Sequence, residues 1–186
     1  EVDGARAKKL IEDATFRIAS VEAKPTKRNP AAPFTTSTMQ QEASRKIGFS
    51  AKRTMQAAQR RYEAGHIPYM RTDGIDMAPE AVMACRDEIK SRYGDRFVPS
   101  SPRMYKSKQK NAQEAHECIR PTDFSKHPDS VSLAEDEAKL YRLVWRRAVA
   151  CQMASAELEQ TTIEVKSADD QIGLRRFCRA CRWRSS

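Results

Sequence analysis

The chain has 186 residues, 39% of them hydrophobic and 32% charged, with a net charge of +9 and a pI near 9.5. That is enough for one domain with a real core, or one domain and part of another, under a basic surface suited to a polyanion such as nucleic acid. No run of roughly 18 apolar residues exists, Glu1-Val2-Asp3-Gly4 is no signal peptide, and the five scattered cysteines form no disulfide framework, so no transmembrane helix is expected and a reducing cytoplasm fits best.

Residues 5–13 read as a short helix. Phe16, Ile18 and Val21 alternate with polar neighbours, which predicts a strand from Thr15 to Ala23. Lys24 to Pro33, with three prolines, reads as a linker. The hydroxyls of Thr35 to Thr38, with Gln40 and Gln41 behind them, predict a capping box and a helix to Ile47 stopped by Gly48. Such an N-terminus can also bind phosphate. Ser50 caps the next helix, whose buried stripe is expected at Ala51, Met55, Ala58 and Tyr62, with Gly65 ending it.

His66 to Met70 reads as a short extended segment before a polar turn. Pro79 opens a third helix, with Val82, Cys85 or Arg86, and Ile89 inward and Gly94 closing it. Residues 95–110 read as a loop whose Lys106, Lys108 and Lys110 are solvated. Ala112 to Ile119 predicts a short helix stopped by Pro121. Leu133 to Met153 is the longest helix, with Leu140, Val144, Ala148 and Cys151 on one face. Thr161 to Val165 alternates as a second strand.

The chemistry concentrates in three segments: Pro33-Phe34-Thr35-Thr36-Ser37-Thr38-Met39-Gln40-Gln41-Glu42-Ala43-Ser44, then Ile67-Pro68-Tyr69-Met70-Arg71-Thr72-Asp73, then Asn111-Ala112-Gln113-Glu114-Ala115-His116-Glu117-Cys118-Ile119-Arg120-Pro121-Thr122-Asp123. A tyrosine phenol has a pKa near ~10, so it needs a nearby cation or base to attack at neutral pH. In an extended segment Tyr69 and Arg71 project to one face. The arginine offers a planar fork of donors to phosphate. A helical turn would place His116 and Arg120 together. Taken alone, a Tyr-x-Arg is more often packing than catalysis.

In order and spacing, the three segments resemble the bacterial type IA DNA topoisomerases over about residues 15–165. That resemblance implies that Tyr69 is the nucleophile that forms a 5′-phosphotyrosine, and that Arg71 steadies the scissile phosphate. It implies DNA-binding roles for His116, Arg120, Gln59, Thr72 and Asp73. The implied activity is ATP-independent relaxation of negatively supercoiled DNA by single-strand cleavage, strand passage and religation. Single-stranded and negatively supercoiled DNA are the implied partners, with a monomeric, nucleoid-associated protein and no membrane. Pro68 and Gly74 depart from the Thr and Ser usual in that family.

The family's Mg²⁺ cluster lies in a toprim domain, and no Asp-x-Asp-x-Glu occurs here. This chain is therefore expected to hold no metal ligands, to bind no Mg²⁺ tightly and to be inactive alone. Cys178 and Cys181 supply only two of the four ligands of a zinc site. Two rival classes stay open. One is a non-catalytic DNA-binding module. The other is a tyrosine recombinase, in which the tyrosine would follow its arginine and histidine rather than precede them.

The expected fold class is mainly α with flanking β-strands. A helical, helix-turn-helix-like domain carrying the tyrosine (29–156) is inserted between strands of a partial β hinge domain (1–28 and 157–174). Residues 175–186 hold five arginines and no acid, about half of the net charge, and show no strand or helix period. They are expected to be a disordered or artefactual tail.

Overall fold

A computed structural model describes residues 4–105, 117–170 and 172–181. In chain order the elements are α1 (Gly4–Glu12), β1 (Phe16–Arg28), α2 (Thr36–Ile47), α3 (Ala51–Glu63), α4 (Pro79–Tyr93), a 3-10 turn (Asp95–Phe97), α5 (Glu135–Cys151), β2 (Ala156–Ser167) and β3 (Gly173–Cys181). Two compact units result. One comprises the chain up to Asn29 and from Ser155 onward; the other is Pro30–Ala154.

The first unit holds an antiparallel sheet in the order β1-β2-β3. Phe16 pairs with Ser167 at one end and Arg28 with Ala156 at the other, with a bulge between Ile18 and Ser20. The strand thus consumes half of the expected linker. Pro25 sits within it opposite Glu159, which is tolerable because β1 is an edge strand and pairs on one side only. The second strand likewise extends beyond the expected 161–165.

The basic tail is corrected more sharply. Gly173 to Cys181 forms β3, with Leu174 opposite Val165 and Phe177 opposite Thr162. An ion pair between Arg175 and Glu164 ties the two strands. Asp170, at φ 59°, makes the turn that returns the chain. Periodicity failed here because this edge strand is exposed on both faces, so no apolar alternation was required of it. Residues 182–186 lie outside the described residues.

The second unit is helical, and its core gathers Phe34, Met39, Ile67, Met70, Ile89 and Ile119 around Leu140, Tyr141, Val144 and Trp145 of α5. The buried polar atoms of the two large aromatics are satisfied. Trp145 Nε1 donates to Phe124 O at 3.0 Å and the Tyr141 hydroxyl to Lys126 O at 2.9 Å. The stripes of α4 (Val82, Cys85, Ile89) and α5 (Leu140, Val144, Ala148, Cys151) are buried as their spacing predicts.

Three local expectations need correction. The capping box of α2 uses Thr35 and the Thr38 hydroxyl, not a glutamine. In α3 the buried stripe is Thr54, Ala57, Ala58 and Arg61, one residue out of phase with the expected one. Arg61 is drawn inward by Glu137, which leaves Tyr62 40% exposed. Residues 117–119 are extended rather than helical, with Ile119 bridging to Phe34; 112–116 of the expected helix lie outside the described residues.

Candidate active site

Tyr69 lies on the loop between α3 and α4. Gly65, at φ +71°, lets the chain leave α3 and turn back. Its N–H closes on Tyr62 O at 2.8 Å, and that of His66 on Arg61 O at 2.8 Å. Residues 66–70 then form a series of bends rather than a strand. Side chains still alternate: Tyr69, Arg71 and Asp73 are exposed, while Met70 and Thr72 are buried. Ile67 and Met70 are 2% and 1% exposed. Each contributes roughly 1.5–3 kcal/mol of burial that pins the loop to the core on both sides of the tyrosine.

Hydrogen bonds bring the three sequence segments together around this loop. From the first segment, Thr36 N donates to Thr72 O at 2.9 Å, and Thr72 N to Thr36 Oγ1 at 2.9 Å. The Thr36 hydroxyl itself donates to Met70 O at 2.7 Å. From the third, Ile119 N donates to Phe34 O at 2.8 Å, and Thr122 N to His66 O at 3.0 Å. The Thr122 hydroxyl donates to Gly65 O at 2.6 Å. Both ends of the tyrosine loop are therefore fastened by the other two motifs.

Of the five tyrosines, exposure separates two groups. Tyr105 and Tyr141 donate their hydroxyls to carbonyls, and burial pushes both phenols up to about 12. Both phenols are thereby harder to ionise than an exposed one. Tyr69, by contrast, is 44% exposed, and its hydroxyl has no partner among the described residues. Its ring meets Tyr62 edge-on, with centroids 5.5 Å apart at 68°. Arg71 is exposed and makes no ion pair among the described residues. A phenol and a guanidinium two residues apart, neither partnered among the described residues, suit attack on a phosphate whose growing charge the arginine can share.

The other expected site residues fall into different settings. Gln59, one turn before Tyr62 on the same face of α3, donates to Glu63 Oε1 at 2.7 Å. Asp73 is exposed. Thr72 is 7% exposed, and its hydroxyl accepts from Gly74 N at 2.9 Å, so its side chain serves the turn. Arg120 directs Nε and Nη2 at Glu117 (3.2 and 2.7 Å) and Nη1 at Pro121 O (2.8 Å). Because Glu117 Oε1 also accepts from Ala78 N at 2.8 Å, this pair braces the start of α4. His116, and with it the expected His116–Arg120 pairing, lies outside the described residues; Arg120 itself is not in a helix.

Cys85, Cys118 and Cys151 are buried thiols. Burial pushes Cys118 and Cys151 up to about 12 and Cys85 upward too, which makes them inert. Among the described residues no group of three or more His, Cys, Asp or Glu could hold a metal ion, and no helix is long and apolar enough to cross a membrane.

The sequence reading missed a polar cluster beneath the loop. Arg61 and Glu137, each with 9% of its side chain exposed, form an ion pair. Arg61 Nη1 also donates to His66 Nδ1 at 2.8 Å. A charged residue one position off the apolar stripe of α3 was the available signal.

A family model described as DNA topoisomerase matches residues 2–176. The DNA topoisomerase 1 of Zymomonas mobilis is 53% identical over 165 residues, which are 89% of this chain and 13% of that protein. For the DNA topoisomerase 1 of Escherichia coli the identity is 46% over 167 residues, 89% of this chain and 19% of that protein. The solved structure of full-length topoisomerase I from Thermotoga maritima matches with a TM-score of 0.76 at 29% identity, covering 98% of this chain and 30% of that one. The chain thus spans 13% and 19% of the length of the two curated relatives.

Proposed function

This chain belongs to the bacterial type IA DNA topoisomerase family, and on that premise we propose that it carries the DNA-cleaving nucleophile, Tyr69. The supporting observation is the exposure of both Tyr69 and Arg71, two residues apart on a loop that the other two motifs fasten at both ends. The Tyr69 oxygen attacks a backbone phosphorus. A P–O bond to tyrosine forms as the P–O3′ bond breaks. The phenol proton leaves and the 3′ oxygen takes one up. The 5′ end stays on Tyr69, and Arg71 neutralises the charge on the non-bridging oxygens. Attack by the 3′ hydroxyl reverses the step, because the ester keeps the energy of the bond it replaced. No ATP is then required.

In this reading the whole protein relaxes negatively supercoiled DNA in the cytoplasm by passing one strand through the break. Gln59, Asp73 and His116 serve DNA binding. Thr72 and Arg120 act mainly by holding the loop and the start of α4. Mg²⁺ would be held by a toprim domain, as the family resemblance implies.

The test is detergent trapping with single-stranded DNA, the chain being supplied with Mg²⁺ and a toprim domain from a relative. DNA labelled at its 3′ end should stay with the protein and DNA labelled at its 5′ end should be released. The opposite pattern would mean a 3′ linkage, as in a tyrosine recombinase, and would defeat the reading.

A further inference from the structure

Arg61 and Glu137 are a costly feature. Desolvating two charges is repaid only by excellent geometry, and apolar side chains of similar size often stabilise a fold as well or better. Here the geometry is not the strongest available. A guanidinium facing a carboxylate gains most from two parallel bonds. Instead Nη2 meets Glu137, Nη1 turns to His66 Nδ1 at 2.8 Å, and Nε is buried without a partner among the described residues. Arg60 adds a longer contact to the other Glu137 oxygen at 3.4 Å. The arginine is thus divided between Glu137 and His66.

His66 is where the tyrosine loop begins. Arg61 grips it twice, through the ring and through the bond from His66 N to Arg61 O. The carbonyl of His66 accepts from Thr122, and its ring lies against Tyr141 at 5.8 Å. Only Ile67 and Pro68 separate His66 from Tyr69, and Thr36 takes hold again at Met70. The nucleophile therefore rides on a very short span between two anchors.

We infer that the Arg61–Glu137 pair is a positioning device for Tyr69, acting through His66. This rests on the reading of Tyr69 as nucleophile. Arg61 and Glu137, each with 9% of its side chain exposed, act on Tyr69 only through the loop. Glu137 fixes the direction of the Arg61 side chain, and Arg61 fixes the ring and backbone of His66. That sets where the phenol stands relative to Arg71.

Replacing Arg61 alone would strand Glu137 and risk unfolding, so the test uses the double variant Arg61→Met with Glu137→Met. This keeps side-chain volume and removes both charges. The first readout is amide hydrogen exchange of the 186-residue chain. Exchange at His66, Thr72 and Thr122, whose N–H groups are hydrogen-bonded around the loop, should rise at least tenfold, with exchange at Ile89 of α4 and the melting temperature unchanged. The second readout is trapping: the rate of adduct formation should fall at least tenfold with the same half-saturating DNA concentration. Unchanged exchange at His66, Thr72 and Thr122 in a folded double variant would overturn the inference. So would loss of the fold, because the pair would then be serving stability. If the unmodified chain, supplied with Mg²⁺ and the toprim domain, traps no DNA, the reading of Tyr69 fails, while the exchange data still judge the positioning.

Discussion

Thr36 and Thr72 hold one another by the backbone on one side and by a hydroxyl on the other: Thr36 N reaches Thr72 O, and Thr72 N reaches Thr36 Oγ1, both at 2.9 Å. The first turn of α2 is thereby joined to the residue after Arg71. This junction gives the Thr-rich first motif a job beyond capping its own helix. Thr35 caps, while Thr36 fixes the exit of the tyrosine loop.

Thr36→Val keeps the shape and removes the hydroxyl. The N–H of buried Thr72 and the carbonyl of Met70 each lose a partner. Leaving such groups unsatisfied should cost about 1–3 kcal/mol of folding stability. Urea denaturation followed by circular dichroism reads it. A loss smaller than a few tenths would mean that the loop exit is held elsewhere.

Arg71 and Arg120 should separate in salt dependence. Arg71 is open to solvent, so Arg71→Gln should lower the slope of log affinity against log salt by about 1 and leave stability within about 0.5 kcal/mol. Arg120 spends its donors on Glu117 and Pro121. Arg120→Gln should leave the slope unchanged and cost about 1–3 kcal/mol of stability. Titration of labelled single-stranded DNA at several salt concentrations, beside urea unfolding, checks both.

Acid should loosen the helical unit through His66. Burial first, then the positive charges of Arg61 and Lys126, hold its pKa below the ordinary 6.5; Glu137 pulls the other way and is outweighed. Arg61 can only donate, so His66 Nδ1 must accept, and a second ring proton would face a donor. The unfolded chain then binds this proton more readily than the folded one. The stabilisation is complete above about pH 6.5 and is lost as pH falls toward the depressed folded value. Unfolding free energies between pH 7.5 and 5 should decline for the parent chain and decline less for His66→Phe.

Much of this architecture was legible because burial enforces periodicity. The faces of α4 and α5 followed from their spacing, since both pack on a core. Ser50, Gly48 and Gly65 marked helix ends through capping and positive φ. The sheet was less legible. Pro25 argued against a strand that only an edge position permits, and β3 is exposed on both faces. The inward turn of Arg61 was hidden because it needs Glu137, 76 residues away. For the site, the tyrosine and its arginine stood out by motif, whereas the clasp of Thr36 and the bracing role of Arg120 depend on contacts that spacing does not encode.

The central claim is that Tyr69, and not its exposed neighbour Tyr62, bonds to DNA. The two rings touch, and their exposures are 44% and 40%. The decisive measurement is mass spectrometry of the trapped adduct after nuclease and protease digestion. A nucleotide is expected on the phenol oxygen of Tyr69, absent in Tyr69→Phe and retained in Tyr62→Phe. A nucleotide on Tyr62, or an adduct that survives Tyr69→Phe, would contradict it.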